Sequence, residues 1–251
     1  MPRPVALVTG PTSGLGLSFA RLLAERGYDL VLVSRDQQRL DQLATELRQG
    51  GRVDVQAFTA DLTTRDGMAL VEARLAGGVD LLVNNAGFGL KGGLLDNSVD
   101  DEQRMLDILV TAVLRLTHAA LGPMVERGSG SVINVSSVSA YLPRGSYGAA
   151  KGYVLALSKW ADLAYRDGGV RVMAVLPGFT RTEFHQRMDV SRGSAPAWLW
   201  LEPDRVVRDA LADLDRGRAI SIPSRRYKLL VALARFAPAS LQARFQRVGR
   251  R

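Results

Sequence analysis

From the first residues onward, short β-branched or apolar runs alternate with longer amphipathic segments, and no other feature narrows the possible folds as far. Runs at 4–9, 29–34, 53–59, 79–84, 130–136, 170–176 and 219–222 read as strands, each short and bounded by turn residues. Between them, Leu15 to Arg26, Gln37 to Gln49, Arg65 to Leu75, Asp101 to Glu126, Tyr147 to Arg166 and Asp204 to Asp215 carry apolar residues at helical spacing. Strands and helices in alternation make βαβ units, whose strands run parallel and whose crossovers are right-handed. The expected fold is α/β: a doubly wound, parallel, seven-stranded sheet with helices on both faces. The 251 residues suit one such domain, large enough to hold its core without a metal or disulfide staple. Cysteine is absent, which removes disulfides and thiolate chemistry, and His118 and His185 are too few for a histidine cage, so no metal site is expected.

Two stretches break the alternation. Residues 179–203 form a long connection carrying Phe184, Met188, Trp198, Leu199 and Trp200, as in loops that cover a ligand. Beyond 222 the chain continues as a basic extension, 223–251, in which Tyr227 to Ala237 and Ala239 to Arg250 read as helices separated by Pro238. The second would place Leu241, Phe245 and Val248 on one face. The expected division is therefore 1–222, including the loop, and 223–251.

The net charge of +8 hides an uneven distribution. Residues 216–251 hold ten Lys or Arg and no Asp or Glu, while the rest of the chain has 23 basic against 25 acidic residues. A basic amphipathic helix fits an anionic lipid surface or an acidic carrier protein. It fits equally a solvated extension packed on the fold or across a subunit interface. Nucleic acid is not expected, because no binding motif accompanies the charge. Neither a run of eighteen apolar residues nor a signal-peptide core is present, so a cytoplasmic protein is expected, membrane-associated in the lipid reading of the tail.

The first strand leads into Gly10-Pro11-Thr12-Ser13-Gly14-Leu15-Gly16 and then a helix. Glycines at this point let the backbone turn tightly beside a pyrophosphate, and the helix start offers unpaired N–H groups and a positive dipole. The second strand ends in Ser34 and Arg35. An acidic residue there would grip the ribose hydroxyls of NAD, whereas a cation accommodates the 2′-phosphate of NADP, so NADP(H) is expected ahead of NAD. Asp36, next in line, is the rival that could turn inward.

The GxxxGxG spacing resembles that of the classical short-chain dehydrogenase/reductase family, a Rossmann-like fold, and further matches follow in order over about residues 4–222. Asp61 and Leu62 look like the family's adenine contact, and Asn84-Asn85-Ala86-Gly87 is similar to its NNAG signature. Pro177-Gly178 with Thr182 resembles its PG motif, whose threonine touches the nicotinamide side. The resemblance therefore implies cofactor contacts at Gly10, Thr12, Ser13, Gly14, Leu15, Gly16, Ser34, Arg35, Asp61, Leu62, Asn85, Ala86, Gly87, Tyr147, Lys151, Pro177, Gly178 and Thr182. A homo-oligomer built on the helices from Asp101 and Tyr147 is also implied.

Tyr147 and Lys151 stand four apart on a helix and so share a face. Ten residues earlier, Ser137 ends a strand, and the three match the family's Ser, Tyr and Lys order. Hydride addition to a carbonyl creates an alkoxide that must be protonated as it forms. Tyr147 would donate that proton, and Lys151 would lower the tyrosine pKa and bind the nicotinamide ribose. Ser137 would hydrogen-bond the substrate oxygen. Ser136 and Ser139 are rival hydroxyls, but Ser137 matches the second serine of the family's strand-end pattern. One departure stands out: where the family has an asparagine that holds a relay water, this chain has Leu109, which has no donor or acceptor.

Phe88, Leu90, Tyr141, Leu142, Phe179, Phe184, Trp198 and Trp200 either line an apolar substrate pocket or pack the long loop onto the body. The leading expectation is an NADP-dependent carbonyl reductase or alcohol dehydrogenase acting on an apolar ketone, aldehyde or ketoacyl group. The alternatives are a nucleotide-binding protein with little catalysis, on account of Leu109, and a membrane or carrier-protein binder, on account of the tail.

Overall fold

The computed structural model describes residues 2–51, 53–183 and 196–236. Seven strands, β1 (Val5–Thr9), β2 (Asp29–Ser34), β3 (Val55–Thr59), β4 (Leu81–Asn84), β5 (Gly130–Val135), β6 (Val170–Val175) and β7 (Ile220–Ser221), form one parallel sheet. Their order is β3-β2-β1-β4-β5-β6-β7. The described helices are α1 (Gly14–Glu25), α2 (Gln37–Gly51), α3 (Arg65–Ala76), α4 (Val99–Leu106), α5 (Ala112–Arg127), α6 (Gly145–Tyr165), α7 (Pro203–Asp215) and α8 (Arg225–Phe236). The doubly wound, Rossmann-like sheet expected from the alternation is the fold observed.

Both faces of the sheet are covered, and β1 shows how. Ala6 and Val8 point to one side, where they pack with Phe19 and Leu23 of α1, Leu40 of α2 and Val207 of α7. Leu7 points to the other, toward Val71 of α3, Leu116 of α5 and Ala161 of α6. A strand buried on both faces needs apolar residues at every position, which is why β1 and β2 read as continuous hydrophobic runs.

The predicted helix Asp101 to Glu126 is longer and less regular than its spacing suggests. α4 and α5 are joined by a π-helical turn, Asp107–Thr111, into one rod that ends at Gly128 in the left-handed conformation, φ +71. By length and composition alone this rod could cross a membrane. In the fold, Met105, Leu109, Leu116 and Met124 bury its inner face against the sheet.

The connection after β6 is pinned at its base. Leu201 N–H donates to the Phe179 carbonyl at 2.8 Å and Arg181 N–H to the Leu201 carbonyl at 3.0 Å, so the outgoing and returning legs pair with each other. The start of α8 holds both legs: Tyr227 Oη donates to the Leu199 carbonyl at 2.8 Å and accepts from Phe179 N–H at 2.9 Å. Predicted as Tyr227 to Ala237, α8 buries Tyr227 and Val231 against the body. Phe184, Met188 and His185, and the predicted helix Ala239 to Arg250 with Pro238, Leu241, Phe245 and Val248, lie outside the described residues.

Candidate active site

Between β1 and β4 the strand order reverses, and the loops at the carboxyl ends part there to leave a crevice. Its first wall is the glycine-rich turn. Gly10 and Gly14 have φ of +64 and +56, conformations that disfavour any side chain. Ser13 caps α1 by position yet makes no side-chain bond to its first N–H groups, and no acidic residue sits in the first turn. The helix start therefore faces the crevice as an open anion site.

The turn is fastened to the β4 loop through Asn85 and Thr9. Asn85 Nδ2 donates to the carbonyls of Thr9 (2.9 Å) and Gly10 (3.1 Å), while Thr9 Oγ1 accepts from the N–H groups of Asn85 (2.9 Å) and Ala86 (3.0 Å). Thr9 passes as an ordinary strand residue by sequence. Its part depends on a partner 76 positions away, and local spacing carries no such signal.

Gly10, Thr12, Ser13, Gly14, Leu15, Ser34, Arg35, Leu62, Asn85, Ala86, Gly87, Ser137, Tyr147, Lys151, Pro177, Gly178 and Thr182 all line the crevice. Gly16 and Asp61 do not. A Cβ on Gly16 would lie 2.0 Å from the Gly10 carbonyl oxygen, so its task is to let α1 approach the turn. Asp61 Oδ1 accepts from the N–H (2.9 Å) and hydroxyl (2.8 Å) of Thr63, and Oδ2 lies 3.8 Å from Arg35 Nη1, so the carboxylate turns to its neighbours. Thr63 lines the crevice instead, as do Val33, Ala60 and Thr180.

At the β2 end the rival acid turns away. Asp36 Oδ1 accepts from Arg39 N–H at 3.0 Å and Oδ2 lies 3.5 Å from Arg39 Nε, which ties it to the start of α2. Arg35 stays at the rim with its side chain 58% exposed.

On the other side, Ser137, Tyr147 and Lys151 come together. Ser137 Oγ accepts from Ser139 N–H at 3.1 Å and is hydrogen-bonded to the Tyr147 side chain. Lys151 is buried one turn along α6, its Nζ 5.8 Å from the centre of the Tyr147 ring and 2.8 Å from the Val135 carbonyl, to which it donates. The rival Ser136 is committed elsewhere, its Oγ donating to the Lys151 carbonyl at 2.8 Å. Burial pushes the Tyr147 phenol up to about 12, partly opposed by the Ser137 hydrogen bond and the nearby Arg144 cation. Burial also lowers the Lys151 ammonium to about 8. Desolvation of the phenolate outweighs the lowering expected of the lysine, whose ammonium here is directed at the Val135 carbonyl.

Leu109 is fully buried in the π-helical turn and lines the crevice, its Cδ2 2.6 Å from where a Cβ on Gly87 would stand. Of the apolar residues expected on the substrate side, Phe88 lines the crevice. Phe179 and Trp200 pack on each other, ring centres 5.4 Å apart, while Trp198 is 53% exposed.

Residues 4–192 match the short chain dehydrogenase family. The chain is 32% identical over 217 residues to a very-long-chain 3-oxoacyl-CoA reductase from Bos taurus, covering 82% of this chain and 67% of that protein. It spans 60% of the length of the corresponding human protein. A solved short-chain dehydrogenase from Sphingobium yanoikuyae in complex with NADPH is 37% identical, with a TM-score of 0.85 over 91% of this chain and 92% of that chain. A bulky-bulky ketone specific alcohol dehydrogenase from Comamonas testosteroni is 32% identical, with a TM-score of 0.81 over 96% of this chain and 97% of that chain.

Proposed function

As the chain belongs to the short-chain dehydrogenase family, we propose that it transfers hydride between NADP(H) and a carbonyl or alcohol, reducing an apolar ketone, aldehyde or ketoacyl group. The observation that carries this reading is the hydrogen-bonded Ser137 and Tyr147, with Lys151 one turn on, in the crevice that also holds the open start of α1.

When bound, the nicotinamide cofactor supplies or accepts the hydride. The residues fit such a group: the glycine-rich turn and uncapped α1 offer N–H donors for a pyrophosphate. Arg35 at the rim offers a guanidinium for a 2′-phosphate, while Asp36 is tied to Arg39. The NADPH complex of the Sphingobium relative supports the same preference.

Tyr147, a phenol protonated at neutral pH, donates its hydroxyl proton to the substrate oxygen as negative charge develops there. Ser137 holds that oxygen by a hydrogen bond. Lys151, cationic below about pH 8, stabilises the phenolate left behind and lies within the same wall to hold a ribose. Phe88 and Leu109 keep the neighbouring wall apolar. The relatives described as a 3-oxoacyl-CoA reductase and a bulky-ketone alcohol dehydrogenase support a large apolar carbonyl substrate. Exposed Leu114 on α5 and Tyr153, Trp160 and Leu163 on α6 supply apolar surface for a homo-oligomer of a cytoplasmic enzyme.

A second reading, nucleotide binding with little turnover, draws on Leu109, whose side chain cannot hold a relay water. NADPH oxidation over a panel of bulky ketones, aldehydes and ketoacyl thioesters, beside NADPH titration, separates the two. Turnover supports the reductase, binding without turnover the second reading, and no binding sinks both.

A further inference from the structure

Helix α8 has two chemically different sides. Tyr227 and Val231 are buried against the body, whereas Leu229 and Leu233 are 63% and 62% exposed. At about 100° per residue the two pairs lie on roughly opposite sides of the helix. Arg225, Arg226 and Lys228, also exposed, flank the leucines. Trp198, itself exposed, is fastened to the same helix, its carbonyl accepting from Arg226 Nη1 at 2.9 Å. No acidic residue occurs on α8 or anywhere in residues 216–251.

We propose that this outer side of α8 docks on an anionic lipid bilayer. Leu229 and Leu233 enter the boundary between headgroups and acyl chains, the cations remain at headgroup depth, and Trp198 sits at the interface. The charge selects the occupant, since three cations on a helix that carries no acid match a negatively charged surface. A second copy meeting this side through a twofold axis would set Arg225, Arg226 and Lys228 against the same three residues, which repel. Two leucines bury little area, so zwitterionic lipid alone is too weak a partner and the anionic headgroups are required. Docking here would bring the bilayer to the helix whose Tyr227 holds both legs of the loop beside the crevice.

Flotation of the purified full chain with phosphatidylcholine vesicles, with and without phosphatidylserine, tests the proposal. The chain should float with the phosphatidylserine vesicles alone, and binding should fall as salt rises. Leu229→Glu with Leu233→Glu should weaken it about tenfold or more, as should Arg225→Glu with Lys228→Glu. All four positions are exposed, and an unchanged melting temperature verifies the fold. A chain ending at residue 236 should still float. The proposal is overturned if the full chain does not float, if it floats equally on pure phosphatidylcholine, or if the leucine variant floats as the parent does. It is overturned too if the shortened chain loses all binding, which assigns it to residues 237–251. If the leucine variant lowers the particle mass without vesicles, the surface belongs to a second copy.

Discussion

The ring of Tyr227 fills the space in which any side chain at residue 178 would stand: a Cβ on Gly178 would lie 1.9 Å from the Tyr227 Cζ. A helix from the far end of the chain is thus the backing of the Pro177-Gly178 turn, and the same tyrosine hydroxyl bridges Phe179 and Leu199. Gly178→Ala must expel the ring and should cost about 1–3 kcal/mol. Tyr227→Phe keeps the ring but leaves a backbone N–H and a carbonyl without their partner, a loss of about 1–3 kcal/mol. Urea denaturation measures both. Because Tyr227→Ala removes the clash, its combination with Gly178→Ala should cost less than the two separate losses together, and strict additivity would contradict the contact.

Tyr147→Phe should lower kcat about 10²- to 10⁴-fold by removing the proton donor, and Ser137→Ala about 10²- to 10³-fold by removing the donor to the substrate oxygen. NADPH affinity, followed by nucleotide fluorescence, should change little in either. Since the two hydroxyls act on one oxygen, the double variant should fall no further than Tyr147→Phe alone. A tyrosine variant with parental turnover would remove the residue from the chemistry.

Lys151 couples activity to pH and to stability with opposite signs. Its folded pKa of about 8 lies below the ordinary 10.5, so between those values the unfolded chain binds more protons and stability rises with pH. Below pH 8 the buried charge exacts its full penalty, about 3 kcal/mol. Lys151→Met removes that penalty but also the hydrogen bond to the Val135 carbonyl, about 1 kcal/mol. The variant should therefore be more stable than the parent at pH 7, with the difference shrinking toward pH 10.5, and should be inactive. In the parent, carbonyl reduction should decline as pH rises through about 8. A flat profile between pH 7 and 9.5 would show that the cation is not needed.

Arg35→Ala should weaken NADPH binding about 10- to 100-fold, the loss of charge-assisted hydrogen bonds to a phosphate, and leave NADH binding within about twofold. Fluorescence titration with both nucleotides decides it. Equal weakening of both would mean that Arg35 acts through its 3.8 Å pairing with Asp61 and does not read the phosphate.

What was legible in the sequence was what local patterns carry. Strand β2 was expected at 29–34 and is found at Asp29–Ser34, because a strand covered on both faces has an apolar middle, here Leu30-Val31-Leu32-Val33. The glycine-rich turn was readable because its special φ values require glycine. Distant contacts left no such mark. The π-helical turn at Asp107–Thr111 inserts one residue into a helix without breaking its apolar stripe. Thr9, Ser136 and Tyr227 owe their roles to partners on other elements, so spacing along the chain could not single them out. The place of Gly16 in the motif was readable too, but not the Gly10 carbonyl behind it that leaves no room for a Cβ.

The pairing of Arg181 with Leu201 and of Leu201 with Phe179 has a consequence for how this scaffold can diversify. A segment that leaves and re-enters a fold through two adjoining, mutually bonded strands of backbone is an exchangeable cassette: its ends are joined whatever lies between. Doubling its length would add only about 0.6 kcal/mol of closure entropy. New lengths and compositions between residues 182 and 197 could therefore be accommodated while Ser137, Tyr147 and Lys151, held by β5 and α6, keep their places. In this fold, the connection after β6 can change far more cheaply than the residues of the crevice.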